Sequence, residues 1–112
     1  MGNEVFIEQI NRLRYHQSLL LEMINTKMDM PFYQLVIEKF LSKQEVEQFY
    51  KLCDNLSMQL EEQKAEGFLN YQPLFDKFKL SLHPALTAKE VVHACLEQQM
   101  YLPLMNEFKK YV

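Results

Sequence analysis

The chain has 112 residues with a formal net charge of −3, and 48% of its residues are apolar. That length suits one domain with its own core, and no apolar run exceeds three residues, so we expect neither a membrane-spanning helix nor a signal peptide. Two cysteines cannot form a disulfide scaffold and no cluster of Lys and Arg is present, which favours a cytoplasmic protein that binds neither membranes nor nucleic acid.

The composition predicts an all-α fold. Seventeen Leu stand beside six Val, four Ile and two Thr, and two Gly and four Pro leave few turns. We therefore expect four to five helices, with a long N-terminal heptad helix followed by a compact helical body. Residues 1–112 form a single helical domain in this interpretation, with 1–28 as a candidate oligomerisation helix and 29–112 as the body.

The first helix is predicted to begin near Asn3, as its cap, and to carry a heptad seam. Six positions recur with 4,3,4,3,4 spacing, and they are Phe6, Ile10, Leu13, Gln17, Leu20 and Ile24. Ile7 and Leu21 lie at e positions and widen the stripe. These six residues are our candidate oligomer interface, although an ordinary amphipathic helix packed on its own domain would show the same pattern.

The middle of the chain carries clear signals for helix starts and stops. Pro31 suits the first turn of a short second helix that runs to about Leu41. Ser42 and Glu45 have the spacing of a capping box, which predicts the start of a third helix. That helix can run to Glu66 and end at Gly67, which tolerates a left-handed conformation.

The last part of the chain is predicted to form shorter helices. Asn70 is expected to cap a fourth helix with Pro73 in its first turn, and residues 81–86 are expected to form a loop. A second capping box at Thr87-Ala88-Lys89-Glu90 opens a helix that we expect to reach about Met100. Pro103 then kinks or restarts the chain.

Short motifs from about residue 10 to residue 108 carry a resemblance. They are Pro31-Phe32-Tyr33, Leu41-Ser42-Lys43 with Glu45, Cys53-Asp54 with Leu56-Ser57, Gln63-Lys64-Ala65 with Gly67-Phe68, and Glu97-Gln98 with Tyr101, Leu104-Met105 and Phe108. In order and spacing they resemble the YhaI-like family of small proteins from Bacillus-type bacteria. The resemblance implies an all-helical, self-associating protein without assigned catalytic residues. Gln99 and Pro103 stand where that family has a Gly and a non-proline residue.

The residues that could carry chemistry are scattered. Cys53 and Cys95 lie on apolar helix faces, which indicates buried structural thiols. His93 and Cys95 are two apart and point to different sides of a helix, and no zinc signature is present, so we predict no metal site and no cofactor. We expect His16 to face solvent and His83 to serve a turn before Pro84.

Three functional hypotheses follow. The leading one is a non-enzymatic homo-oligomeric interaction module, with a trimer favoured over a dimer and an unidentified protein as a further partner. The alternative is a small-molecule or metal-binding enzyme whose site forms between helices or subunits and collects His83, His93, Glu97 and Tyr101. A helix-turn-helix DNA-binding protein is the third, and the net charge of −4 over residues 29–67 opposes it.

Overall fold

The computed structural model describes residues 2–112, and its regular secondary structure within these residues is all helical, without strands. Its helices are α1 (Gly2–Thr26), α2 (Pro31–Glu38), α3 (Lys43–Ala65), α4 (Gln72–Ser81), α5 (Ala88–Glu97) and α6 (Leu102–Phe108), followed by a 3₁₀ turn over Lys109–Tyr111. The predicted all-α class, with a long first helix and a compact body, is confirmed. The helices number six rather than four to five, because the chain restarts at Pro103.

The core of the body is built from aromatic rings on separate helices. Phe32 of α2 stacks on Phe49 of α3 with a centroid distance of 5.1 Å. Phe78 of α4 lies 4.8 Å from Phe108 of α6, and Phe75 meets Phe108 edge-on at 5.5 Å. Because each contact joins different helices, burial of these rings holds α2, α3, α4 and α6 together.

Both predicted capping boxes are present. The Glu45 backbone N–H donates to Ser42 Oγ at 3.1 Å, and the Ser42 N–H donates to Glu45 Oε1 at 2.9 Å. At the start of α5 the same exchange joins Thr87 and Glu90, at 3.3 and 3.0 Å. Each box satisfies free amides of the first helical turn, which fixes where α3 and α5 begin.

Four helices end in left-handed residues, and α1 does so at Lys27, which has a φ of +55°. Gly67 has a φ of +85°, as predicted, and the Phe68 N–H donates to the Gln63 carbonyl at 2.9 Å. Phe40 and Gln99 take the same conformation after α2 and α5, with φ of +53° and +60°, although neither is a glycine. A side chain in this region costs energy, and backbone hydrogen bonds close both helix ends, from the Leu41 N–H to the Val36 carbonyl at 2.9 Å and from the Met100 N–H to the Cys95 carbonyl at 2.8 Å.

Four predicted boundaries are wrong. Helix α2 ends at Glu38 instead of about Leu41, because Phe40 turns left-handed. Asn3 lies inside α1 rather than capping it, and α5 ends at Glu97 instead of about Met100, because Gln99 turns left-handed. Tyr71, not Asn70, is the residue before α4, although Asn70 Oδ1 accepts a hydrogen bond from the Gln72 N–H at 2.9 Å. Within residues 2–112 we find no helix that is both long and apolar enough to cross a membrane.

Candidate functional site

The predicted seam lies on the exposed side of α1. Its five apolar residues, Phe6, Ile10, Leu13, Leu20 and Ile24, are between 45% and 68% exposed, and Gln17 is exposed among them. At about 100° per residue the six positions fall within an arc of roughly 80° around the helix axis. They form one continuous stripe that the body leaves uncovered.

The exposed stripe is wider than the six seam positions. Ile7 and Leu21 beside it are also at least half exposed, which brings the apolar set to seven side chains. We define these seven residues, with Gln17 at their centre, as the α1 stripe. At roughly 100 Å² for each half-exposed side chain, the α1 stripe presents about 700 Å² of apolar surface. The largest apolar patch on a typical monomer is smaller than this.

A different side of α1 packs on the body. His16 is only 5% exposed, and its Nε2 lies 2.6 Å from the Leu41 carbonyl oxygen, to which it donates. Its ring meets the Phe40 ring edge-on with a centroid distance of 5.4 Å. The prediction that His16 faces solvent is therefore wrong. His16, Leu19 and Met23 have 3,4 spacing, and this second stripe is the signal that could have revealed the packing side.

Arg12 secures the same packing side at the corner between α2 and α3. Its Nη1 donates to the Phe40 carbonyl at 2.7 Å, and its guanidinium lies 5.0 Å from the centroid of the Phe40 ring. It also pairs with Glu8 one turn earlier on α1. Residues 2–11 are all exposed, but Glu8 and Asn11 line a depression with Ser42 at the start of α3, so only about the first two turns of α1 extend beyond the body.

The C-terminal half of the α1 stripe borders a groove. An open cavity of about 470 Å³ lies between α1 and α2, and Leu20 and Ile24 form one of its walls. Ile37 of α2 and Met28, which follows α1, also line it. The apolar surface of α1 therefore continues onto α2, which sequence periodicity within one helix could not have predicted.

The two thiols are buried, as predicted. Cys53 and Cys95 are both completely shielded from solvent and unpaired. Burial raises the pKa of both thiols, to about 12 for Cys95. Since the thiolate is the reactive form of cysteine, neither residue is placed for nucleophilic chemistry.

One chain does not bring together the four residues of the alternative hypothesis. His83 pairs with Glu45, with 2.6 Å between His83 Nε2 and Glu45 Oε2. His93 and Glu97 instead line a shallow depression between α2 and α5, and the Tyr101 hydroxyl donates to the Tyr50 carbonyl at 3.4 Å. In the described part of the chain, no three His, Cys, Asp or Glu side chains are arranged to hold a metal ion.

These features define a small all-helical protein whose longest helix presents an uncovered apolar stripe. The chain belongs to a family of proteins of unknown function, DUF1878, whose family model matches residues 3–112. The match includes α1 as well as the body, so the long helix with its stripe falls within the part of the chain that the family model covers.

Proposed function

We propose that this protein is a homo-oligomeric interaction module that acts by binding another macromolecule, and that α1 is its self-association element. The observation that carries the proposal is the exposure of the α1 stripe, with about 700 Å² of apolar surface on a well-formed helix. An isolated helix is marginal in water, and about the first two turns of α1 extend beyond the body. A partner that covers the stripe would stabilise them.

The size and pattern of the stripe favour a second copy of this chain as the occupant. A stable interface buries about 800 Å² on each partner, which is close to the area that the stripe offers. Its a and d residues repeat every seven residues, so an identical helix can interdigitate with it over three heptads. In a two-fold dimer the same surface would serve both partners, whereas in a three-fold bundle one flank of the stripe would contact the other flank of its neighbour.

Gln17 favours a parallel arrangement. It is the one polar residue among the six seam positions, and it is exposed in the single chain. Parallel helices bring each Gln17 beside its equivalent, where the amides can hydrogen-bond to each other. Isoleucine at the a positions Ile10 and Ile24, together with leucine at d, favours a two-stranded coiled coil. Ile7 and Leu21 at the e positions are also apolar, and a bundle of three helices buries such a wider stripe more completely, so we favour a trimer over a dimer.

The body leaves room for such a bundle. His16 and Leu19 lie on the side of α1 that packs on the body. Around the helix axis this side is about 120° from the centre of the stripe. In a parallel dimer or trimer the bodies would therefore stand outside the bundle. The groove beside Leu20 and Ile24 would extend the contact onto α2.

Disulfide trapping tests the parallel arrangement. In the full chain with Gln17→Cys, mild oxidation should give a cross-linked dimer in high yield, because equivalent positions meet across a parallel seam. Asn11→Cys is the control, since Asn11 is exposed and about 120° around the helix from Gln17 at the centre of the stripe. Equal yields for the two variants, or no cross-link at residue 17, would overturn the parallel arrangement.

The origin and location of the protein belong to the same proposal. The motifs between residues 31 and 108 support a YhaI-like member of the family from a Bacillus-type bacterium. Two reduced, buried thiols are compatible with the cytoplasm. Fractionation of such a host with an antibody against the chain tests the location, and recovery in the membrane or medium fraction would contradict it.

A further inference from the structure

A cavity of about 270 Å³ lies between the start of α3 and the loop that joins α4 to α5. Most of its wall is apolar, and the buried members of that wall are Phe32, Leu41, Val46, Phe49 and Leu86. An apolar cavity of about 150 Å³ is enough to hold benzene in a protein. This cavity therefore has room for a ligand with one ring and a short polar arm.

The cavity carries a fixed polar pair at its edge. Glu45 and His83 are both lining residues, with His83 Nε2 donating to Glu45 Oε2 at 2.6 Å. On the other side of the ring, His83 Nδ1 accepts the Ala85 backbone N–H at 3.0 Å. An accepting nitrogen carries no proton, so this arrangement uses the neutral imidazole and orients the carboxylate.

The carboxylate gives the cavity a negative charge. Burial raises the pKa of Glu45, but hydrogen bonds from Ser42 and His83 outweigh it and hold the pKa below its ordinary value. Arg12 Nη1 approaches Glu45 Oε1 to 3.8 Å from the α1 side, but it is paired with Glu8 and is not a lining residue. Two carboxylates against one guanidinium leave this cluster with a net charge of −1.

We infer that this cavity binds a small aromatic amine, with its ring among the apolar side chains and its ammonium group on the Glu45 carboxylate. Glu45 is the one acidic residue among the lining residues that the structure describes, and no Lys or Arg is present there. A cation is thus attracted by the carboxylate, while a carboxylate ligand is repelled by it. The serine and glutamine in the lining, Ser81 and Gln48, can take part in hydrogen bonds to the arm.

Two probes of matched shape test the charge preference. We expect 2-phenylethylamine at millimolar concentration to shift the backbone amide NMR signals of Val46, Phe49 and Leu86 in the full chain. Phenylacetate has the same ring and the opposite charge, and it should bind at least about tenfold more weakly. Equal affinity for the two probes, tighter binding of phenylacetate, or shifts confined to other residues would overturn the inference.

Two capping glutamates allow a matched pair of variants. Glu45→Gln removes the charge and keeps a residue that can close the capping box, so α3 still begins at Ser42. The amine should lose its preference over phenylacetate in this variant. Glu90→Gln makes the same change in the capping box of α5, whose glutamate is not a lining residue, and should leave the preference intact. An unchanged preference in Glu45→Gln contradicts the inference.

A third variant addresses the apolar part of the cavity. Leu52 is a partly buried lining residue, and Leu52→Phe places a ring in the space that the ligand needs. Both probes should bind more weakly to it, and undiminished binding would contradict the inference. The cavity shares no lining residue with the α1 stripe. A result that contradicts ligand binding would therefore leave the self-association proposal standing, and a result that contradicts self-association would leave the ligand inference standing.

Discussion

Replacement of Gln17 by isoleucine should strengthen self-association. Gln17 is exposed in the single chain and would become a polar layer in a parallel seam. Burial of an isoleucine side chain in its place contributes about 1.5–3 kcal/mol for each chain. That free energy corresponds to an assembly about 10- to 150-fold tighter per chain. The loss of the polar layer should also make the assembly state less uniform, because such layers fix register and stoichiometry.

Sedimentation at several protein concentrations measures this effect directly. The wild-type chain and Gln17→Ile are compared with Asn11→Ile, which adds the same side chain to an exposed position outside the stripe. We expect Gln17→Ile to stay assembled at concentrations where the wild type dissociates, and Asn11→Ile to behave as the wild type. Weaker or unchanged self-association of Gln17→Ile, or an equal increase in self-association in both variants, would refute association through the seam.

The structure makes four further predictions about stability and reactivity. Gly67→Val should destabilise the chain by about 1–2 kcal/mol, because φ is +85° there although a side chain meets no atom within 4 Å; an unchanged denaturation midpoint would contradict this. Gln99→Gly should stabilise it by about 0.5–1 kcal/mol, since φ is +60°, and a lower midpoint would count against the strain. Cys53 and Cys95 should react slowly with a thiol reagent in the native state and quickly in denaturant, and fast native labelling of either would contradict their burial. The pKa of Glu45 is lowered in the folded state, so the charged carboxylate stabilises the fold at pH values above the ordinary pKa of 4.5, and this stabilisation is lost as the pH falls below that value. Glu45→Gln should therefore lose less stability than the wild type in acid. Identical stability profiles of the two proteins in acid would contradict the lowered pKa.

Local patterns in the sequence predict most of the helix boundaries. The capping boxes at Ser42 and Thr87 and the stop at Gly67 depend on residues within one turn, so their physical causes lie within a few positions of each other. The end of α5 was missed because Gln99 has no intrinsic preference for a positive φ. Backbone hydrogen bonds, rather than local propensity, hold it there, from the Gln99 N–H to the Leu96 carbonyl and from the Met100 N–H to the Cys95 carbonyl.

The side on which α1 packs could not be predicted in the same way. The helix carries two stripes, and periodicity alone does not say which of them meets the body. The stronger apolar stripe stays exposed, while the side with His16 is buried, because His16 finds an acceptor in the Leu41 carbonyl at 2.6 Å. That acceptor lies 25 residues away in the chain.

The candidate ligand cavity depends on pairing over a similar distance. From the sequence, Glu45 is a capping residue and His83 a turn residue, and nothing in either local pattern links them. The fold brings the α4–α5 loop against the start of α3, which creates both the 2.6 Å contact and the apolar space beside it. The position of a loop relative to a helix is set by the packed core, so sequence patterns alone did not reveal this pair.

The most direct test of the central claim is the mass of the assembly in solution. Light scattering coupled to size exclusion should give the full chain a mass of two or three times 13.5 kDa, with three favoured. Ile10→Glu combined with Leu13→Glu should reduce it to one chain while the body stays folded, because both side chains are exposed in the single chain, whereas Asn11→Glu should leave it unchanged. A full-length chain of 13.5 kDa at every concentration, or an oligomer that survives the double substitution, would contradict self-association through α1.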